Sequence, residues 1–164
     1  MNIPKILFFL TAFSFFLNGC QDEEKPTIDT EKPAIDLTTL DAFPTSCDTL
    51  FFDEPFTVKA LLTDNVELGS FNIDIHNNFD HHTHSTEFEQ CTLGAVKTAL
   101  NPYIYIQDYA LPVTNKYTTD VSMIIPSSDG VDLYDEGDYH FQIRLTDKEG
   151  WSTMVGFNVK ILGR

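Results

Sequence analysis

The chain has 164 residues, with 25 Asp and Glu against 10 Lys and Arg, for a formal charge of −15 with its five histidines neutral. A surface this acidic repels the phosphates of nucleic acid and anionic lipid head groups, so neither is an electrostatic partner. Residues 34–163 are enough for one domain with a core of its own.

Residues 1–19 read as a lipoprotein signal peptide. Lys5 supplies a short positive region, and Ile6 to Leu17 is apolar but shorter than the about 20 residues a spanning helix needs. The segment ends in Leu17-Asn18-Gly19-Cys20, which resembles a bacterial lipobox, where the Cys is lipidated and becomes the mature N-terminus. Cleavage there removes Lys5 and no acid, leaving 9 basic and 25 acidic residues and a charge of −16. Residues 20–33, with Pro26, Pro33 and few apolar groups, read as a lipidated flexible tether. Its Asp22-Glu23-Glu24 resembles the acidic signal that sends Bacteroidetes lipoproteins to the cell surface. The expected location is the outer membrane, facing outward and held by the lipid anchor alone. The partner classes open to such a protein are an outer-membrane transporter or a host surface ligand.

Beyond the tether the pattern is all-β. Strands are expected near 34–38, 56–63, 70–77, 102–107, 117–125, 138–146 and 152–162, separated by Pro, Gly, Asn and Asp. Seven short strands in this length predict an immunoglobulin-like β-sandwich. The sharpest alternation is Gly137 to Gly150, with Tyr139, Phe141, Ile143 and Leu145 on one face and His140, Gln142, Arg144 and Thr146 on the other. In the 70–77 strand, Phe71, Ile73 and Ile75 point inward, and Asn72, Asp74 and His76 point to solvent. The third and sixth strands of this fold are antiparallel neighbours, so His76 and His140 are expected side by side on one solvent face.

Four of the five histidines lie between 76 and 84, in His76-Asn-Asn-Phe-Asp80-His81-His82-Thr83-His84. Imidazole is a common ligand for transition metals. His82-x-His84 presents two rings on one side of an extended segment, and His76, His81 or His140 can add a third. The expected ion is Zn²⁺ or Cu²⁺, with Ni²⁺ also suited to imidazole. Asp80 is placed as a ligand or as an orienter of one. The competing account is a polar loop whose histidines bond locally to Asp74, Asp80 or Thr83. The two cysteines of the domain, Cys47 and Cys91, are expected to pair, since an exported chain is oxidised. Both fall in loops at the pole that also holds the histidines and the acidic stretch 129–138, away from the lipid anchor.

Carboxylates open a Ca²⁺ alternative. Asp129, Asp132, Asp135 and Asp138 recur every third residue, and Asp64-Asn65 and Asp147 flank turns; none has the spacing of an EF-hand loop. No nucleophile elbow, phosphate loop or His-Glu-x-x-His is present, so the chain reads as non-enzymatic. Tyr103, Tyr105 and Tyr109 can form either core or an exposed sugar platform. The platform leads to the alternative function, an adhesion, glycan- or protein-binding module without metal. Asp48-Thr49-Leu50 resembles the O-glycosylation site of Bacteroidetes exported proteins.

Three segments carry a wider resemblance: Thr63-Asp-Asn-Val-Glu-Leu-Gly-Ser70, His76 to Ser85, and Gly137-Asp-Tyr-His140. With the lipobox they resemble a family of Bacteroidetes lipoproteins known as domain of unknown function 4625. The resemblance implies an exported immunoglobulin-like lipoprotein and brings no activity with it.

Overall fold

The computed structural model describes residues 28–83, 86 and 91–164. Cys20 and His84 lie outside the described residues. The described chain is all-β, with ten strands: β1 (Ala34–Asp36), β2 (Thr49–Phe51), β3 (Pro55–Val58), β4 (Leu61–Thr63), β5 (Leu68–Asn77), β6 (Tyr105–Ala110), β7 (Lys116–Thr118), β8 (Val121–Ile124), β9 (Gly137–Asp147) and β10 (Ser152–Leu162). No helix among the described residues is long and apolar enough to cross a membrane.

One sheet has the order β2-β10-β9-β5-β6. The other layer is built from β1-β4-β7 and β3-β8. These last two are one antiparallel pairing with a break in it, because Val58 opposes Val121 and Leu61 opposes Thr118 without a change of register. Buried Thr119 causes the break. Its hydroxyl donates to the Val58 carbonyl at 2.9 Å and accepts from the Ala60 amide at 2.8 Å. A side chain thus does what a ladder bond would do, and the expected strands 56–63 and 117–125 each split in two. With those two strands rejoined, the layout is compatible with the expected immunoglobulin-like sandwich. The short β2, parallel to β10, is an addition that the pattern did not mark. The expected strand 102–107 is displaced to 105–110.

The core joins both layers. Val58, Leu62, Met123 and Ile125 from one meet Phe71, Ile73, Ile75, Tyr139, Phe141, Ile143, Phe157 and Val159 from the other. The inward positions read from the alternation of β5 and β9 are all buried. The Tyr139 hydroxyl donates to the Asp135 carbonyl at 2.5 Å and accepts from the Tyr103 amide at 3.2 Å. A tyrosine near the start of this strand that bonds back a few residues upstream is a recurrent fastening of such sandwiches. Cys47 and Cys91 are disulfide-bonded, with Cα atoms 5.2 Å apart and a sequence separation of 44. Closing a loop of that size stabilises the fold by about 4 kcal/mol on the chain-entropy estimate.

Candidate metal centre

His76 and His140 are direct partners in the β5–β9 register. Their ring centroids are 5.4 Å apart. This is the neighbour relation expected from strand order. Residues after β5 then turn back over the outer face of the sheet and bring His82 to the pair, 5.8 Å from the His76 ring and 5.0 Å from the His140 ring. One ring nitrogen from each of the three lies within 4.8 Å of the other two. A tetrahedral Zn²⁺ with bonds of about 2.1 Å holds its nitrogens about 3.4 Å apart. The observed spread is wider than that by little more than 1 Å, and these three residues could hold an ion.

The hydrogen bonds choose the tautomers. His76 Nδ1 lies 2.7 Å from Asp74 Oδ1, and His82 Nδ1 lies 2.5 Å from Asp80 Oδ1. An ionised carboxylate only accepts, so both Nδ1 atoms carry the proton and the lone pair is on Nε2. His140 Nε2 donates to the His82 carbonyl at 3.0 Å, which leaves its lone pair on Nδ1. A carboxylate behind a ligating imidazole fixes the ring and raises its basicity, an arrangement common behind metal-bound histidines. The bond from His82 also holds the Asp80 carboxyl below its usual range. Asp80 thus stands behind His82. Asp74, which pattern reading placed only as a local bonding partner, has the same position behind His76.

Two expectations change. His140 was placed on a solvent face, but it is 1 % exposed, because the segment carrying the His82 carbonyl lies across it. His81 is not brought into the group. Its backbone is left-handed (φ 58°), and its Nε2 lies 3.8 Å from Asp138 Oδ2.

The acidic stretch is at the same pole, as expected, but its carboxylates hold backbone. Asp129 Oδ1 accepts from the Val131 and Asp132 amides. Asp135 Oδ2 accepts from Leu100 and Asn101, and Asp138 Oδ2 from Gly94. The Asp135 and Asp138 bonds pin the long β5–β6 connection to the start of β9. The tyrosine platform is absent. Tyr103 is buried, and Tyr105 and Tyr109 pack against the core with their hydroxyls 2.6 Å apart. Thr49, of the Asp-Thr-Leu string, is exposed on β2.

A second group able to hold a metal forms at the opposite pole from Asp29, Asp64 and Asp147. Sequence reading counted Asp64 and Asp147 among the turn carboxylates of the Ca²⁺ alternative without joining them, and left Asp29 in the tether.

The family described as Domain of unknown function (DUF4625) matches residues 18–162. The chain belongs to this family. Both the three-histidine group and the three-aspartate group fall within the DUF4625 match. Comparison with curated proteins finds no match.

Proposed function

We propose that this DUF4625 protein is a surface-anchored, non-enzymatic lipoprotein that binds a transition metal through His76, His82 and His140. The observation that carries the reading is the convergence of three imidazoles with their tautomers already set for ligation by Asp74, Asp80 and the His82 carbonyl. Zn²⁺ and Cu²⁺ suit an all-nitrogen set, and Cu²⁺ is the tighter in the usual affinity order. Three protein nitrogens leave room in the coordination sphere for a further ligand, which suits uptake and transfer of the ion. The role is acquisition, buffering or handing over of metal, with an outer-membrane transporter as the natural receiver. The anchor is lipid on Cys20, and the acidic residues that follow it place the domain outside the cell.

Calorimetric titration of the purified protein with Zn²⁺, Cu²⁺ and Ni²⁺ tests the metal reading. One ion per chain is expected, with affinity falling on acidification because a protonated ring has no lone pair to give. His82→Ala should abolish this binding and leave the fold intact, since His82 is in a loop outside the core. No heat with any of the three ions at neutral pH overturns the reading. For the anchor, Cys20→Ala should move the protein out of the membrane fraction. Retention there would rule the lipid out.

A further inference from the structure

The string Thr63 to Ser70 takes no part in the histidine group, yet it builds an unusual corner. In the β4–β5 turn, Asp64 Oδ2 accepts from the Val66 and Glu67 amides, both at 2.8 Å. Gly69 follows at a register irregularity in β5. A Cβ on Gly69 would stand 2.5 Å from the Asp147 carbonyl oxygen, so its hydrogen side chain is what admits the end of β9 to the turn. Asp147 Oδ1 in turn accepts from Gly150 at 2.6 Å and Trp151 at 2.8 Å.

The third member comes from the segment before β1. Asp29 Oδ1 accepts from the Glu31 amide at 3.0 Å and from Asn65 Nδ2 at 2.8 Å, and the Asp29 carbonyl accepts from Trp151 Nε1 at 3.1 Å. Both side-chain partners favour the ionised carboxyl, which is held below its usual range, chiefly by the Glu31 amide.

Each aspartate therefore has one oxygen fastened and one left over. The remaining oxygens, Asp29 Oδ2, Asp64 Oδ1 and Asp147 Oδ2, are all buried without a hydrogen-bond partner. Asp29 is 6 % and Asp147 4 % exposed. One carboxylate oxygen of each residue lies within 4.8 Å of the other two. Among the described residues no Lys, Arg or His pairs with any of the three; Lys148, the nearest in sequence, pairs with Glu67. Buried carboxylates this close repel one another and forfeit hydration, a cost that a bound cation removes.

We propose that Asp29, Asp64 and Asp147 form a site for a divalent cation of the Ca²⁺ class, which clips the segment before β1 to this pole of the domain. Ca²⁺ takes oxygen ligands at 2.3–2.6 Å, so two ligands of one ion stand up to about 5 Å apart, in line with the observed spread. Mg²⁺ holds oxygens at about 2.1 Å in a strict octahedron and fits this spread less well. Water and backbone carbonyls complete the sphere. The site is independent of the histidine group. Leu68–Asp147 and His76–His140 are opposite ends of the β5–β9 pairing, about 25 Å apart at the rise of a strand. In chain order, the clip falls nine residues after Cys20, where it would set the angle at which the domain leaves its tether.

The test is thermal unfolding and calorimetry of the full-length protein in EDTA, then with Ca²⁺ or Mg²⁺ added alone. Ca²⁺ should bind one ion per chain and raise Tm by about 5 °C once its concentration is about ten times Kd. The same concentration of Mg²⁺ should give a clearly smaller shift. The variants Asp147→Asn and, separately, Asp29→Asn keep an oxygen for the turn amides and remove the charge. Each should fold in EDTA with a Tm no lower than wild type and lose most of the Ca²⁺ shift. His82→Ala should keep the shift in full. A wild-type Tm and heat unmoved by about 10 mM Ca²⁺, an equal response to Mg²⁺, or a Ca²⁺ shift that persists in both Asn variants would each overturn the proposal.

Discussion

Asp74 and Asp80 each stand two residues before a histidine of the group, and in both cases the carboxylate meets Nδ1 of that histidine. On β5 the spacing is enforced by the pleat, which puts residues i and i+2 on one face. After β5 it arises in a loop, and the side-chain bond itself sets the ring. Removing the orienter leaves the ligand free to rotate and less basic. Asp74→Ala should therefore weaken Zn²⁺ binding about 10–100-fold while the far-ultraviolet circular dichroism stays unchanged. An affinity within a factor of two of wild type would show that the carboxylate has no part in the site. Asp-x-His twice in nine residues is a signal that sequence reading could have used. It carried Asp80 as an orienter and left Asp74 among local contacts, because on a pleat an outward Asp beside an outward His also reads as ordinary solvated surface.

At the scale of elements, the break that splits both strands of the pairing between β1-β4-β7 and β3-β8 has one cause. Lys59-Ala60 and Thr119-Asp120 face each other across the pairing, and Thr119 spends its hydroxyl on the backbone of the opposite strand. Thr119→Val keeps the shape and removes both bonds, leaving the Ala60 amide buried without this acceptor. The expected cost is about 1–3 kcal/mol, read as a lower midpoint in urea with an unchanged slope. A midpoint equal to wild type would mean that the ladder closes over the gap. Local pattern could not show the break, since a β-branched Thr in an alternating run looks like any other strand residue.

Across the whole molecule, the buried phenols make the fold sensitive to alkaline pH. Burial pushes Tyr103 and Tyr139 up to about 12 and raises Tyr109 as well, with the Tyr105 hydroxyl adding to the effect at Tyr109. Each folded value lies above the ordinary phenol value of about 10, so the unfolded chain loses these protons first. Their contribution to stability is complete below about pH 10 and is lost as pH rises toward 12. The tyrosinate absorbance of Tyr103, Tyr109 and Tyr139 should accordingly appear only above about pH 10, together with loss of the circular dichroism signal. If all six tyrosines titrate near pH 10 with the fold intact, the burial of these rings is wrong. The Cys47–Cys91 bridge limits how far such unfolding separates the first third of the domain from the β5–β6 connection.

Residue pattern by itself determined the all-β class, the inward faces of β5 and β9, the pairing of the two cysteines and the adjacency of His76 to His140. Each depends on alternation along a strand, on the expectation that an exported chain is oxidised, or on strand order in a familiar layout. Three things were decided only by tertiary structure. The β5–β6 connection folds back over the sheet, and this buries His140, admits His82 and leaves His81 beside Asp138. Tyr103, Tyr105 and Tyr109 turn toward the core rather than outward. Asp29, Asp64 and Asp147, separated by 35 and 83 residues in sequence, meet at one corner. The reason is the same in each case. A period of two specifies which way a side chain leaves its own strand, but not which distant segment comes to lie on top of it.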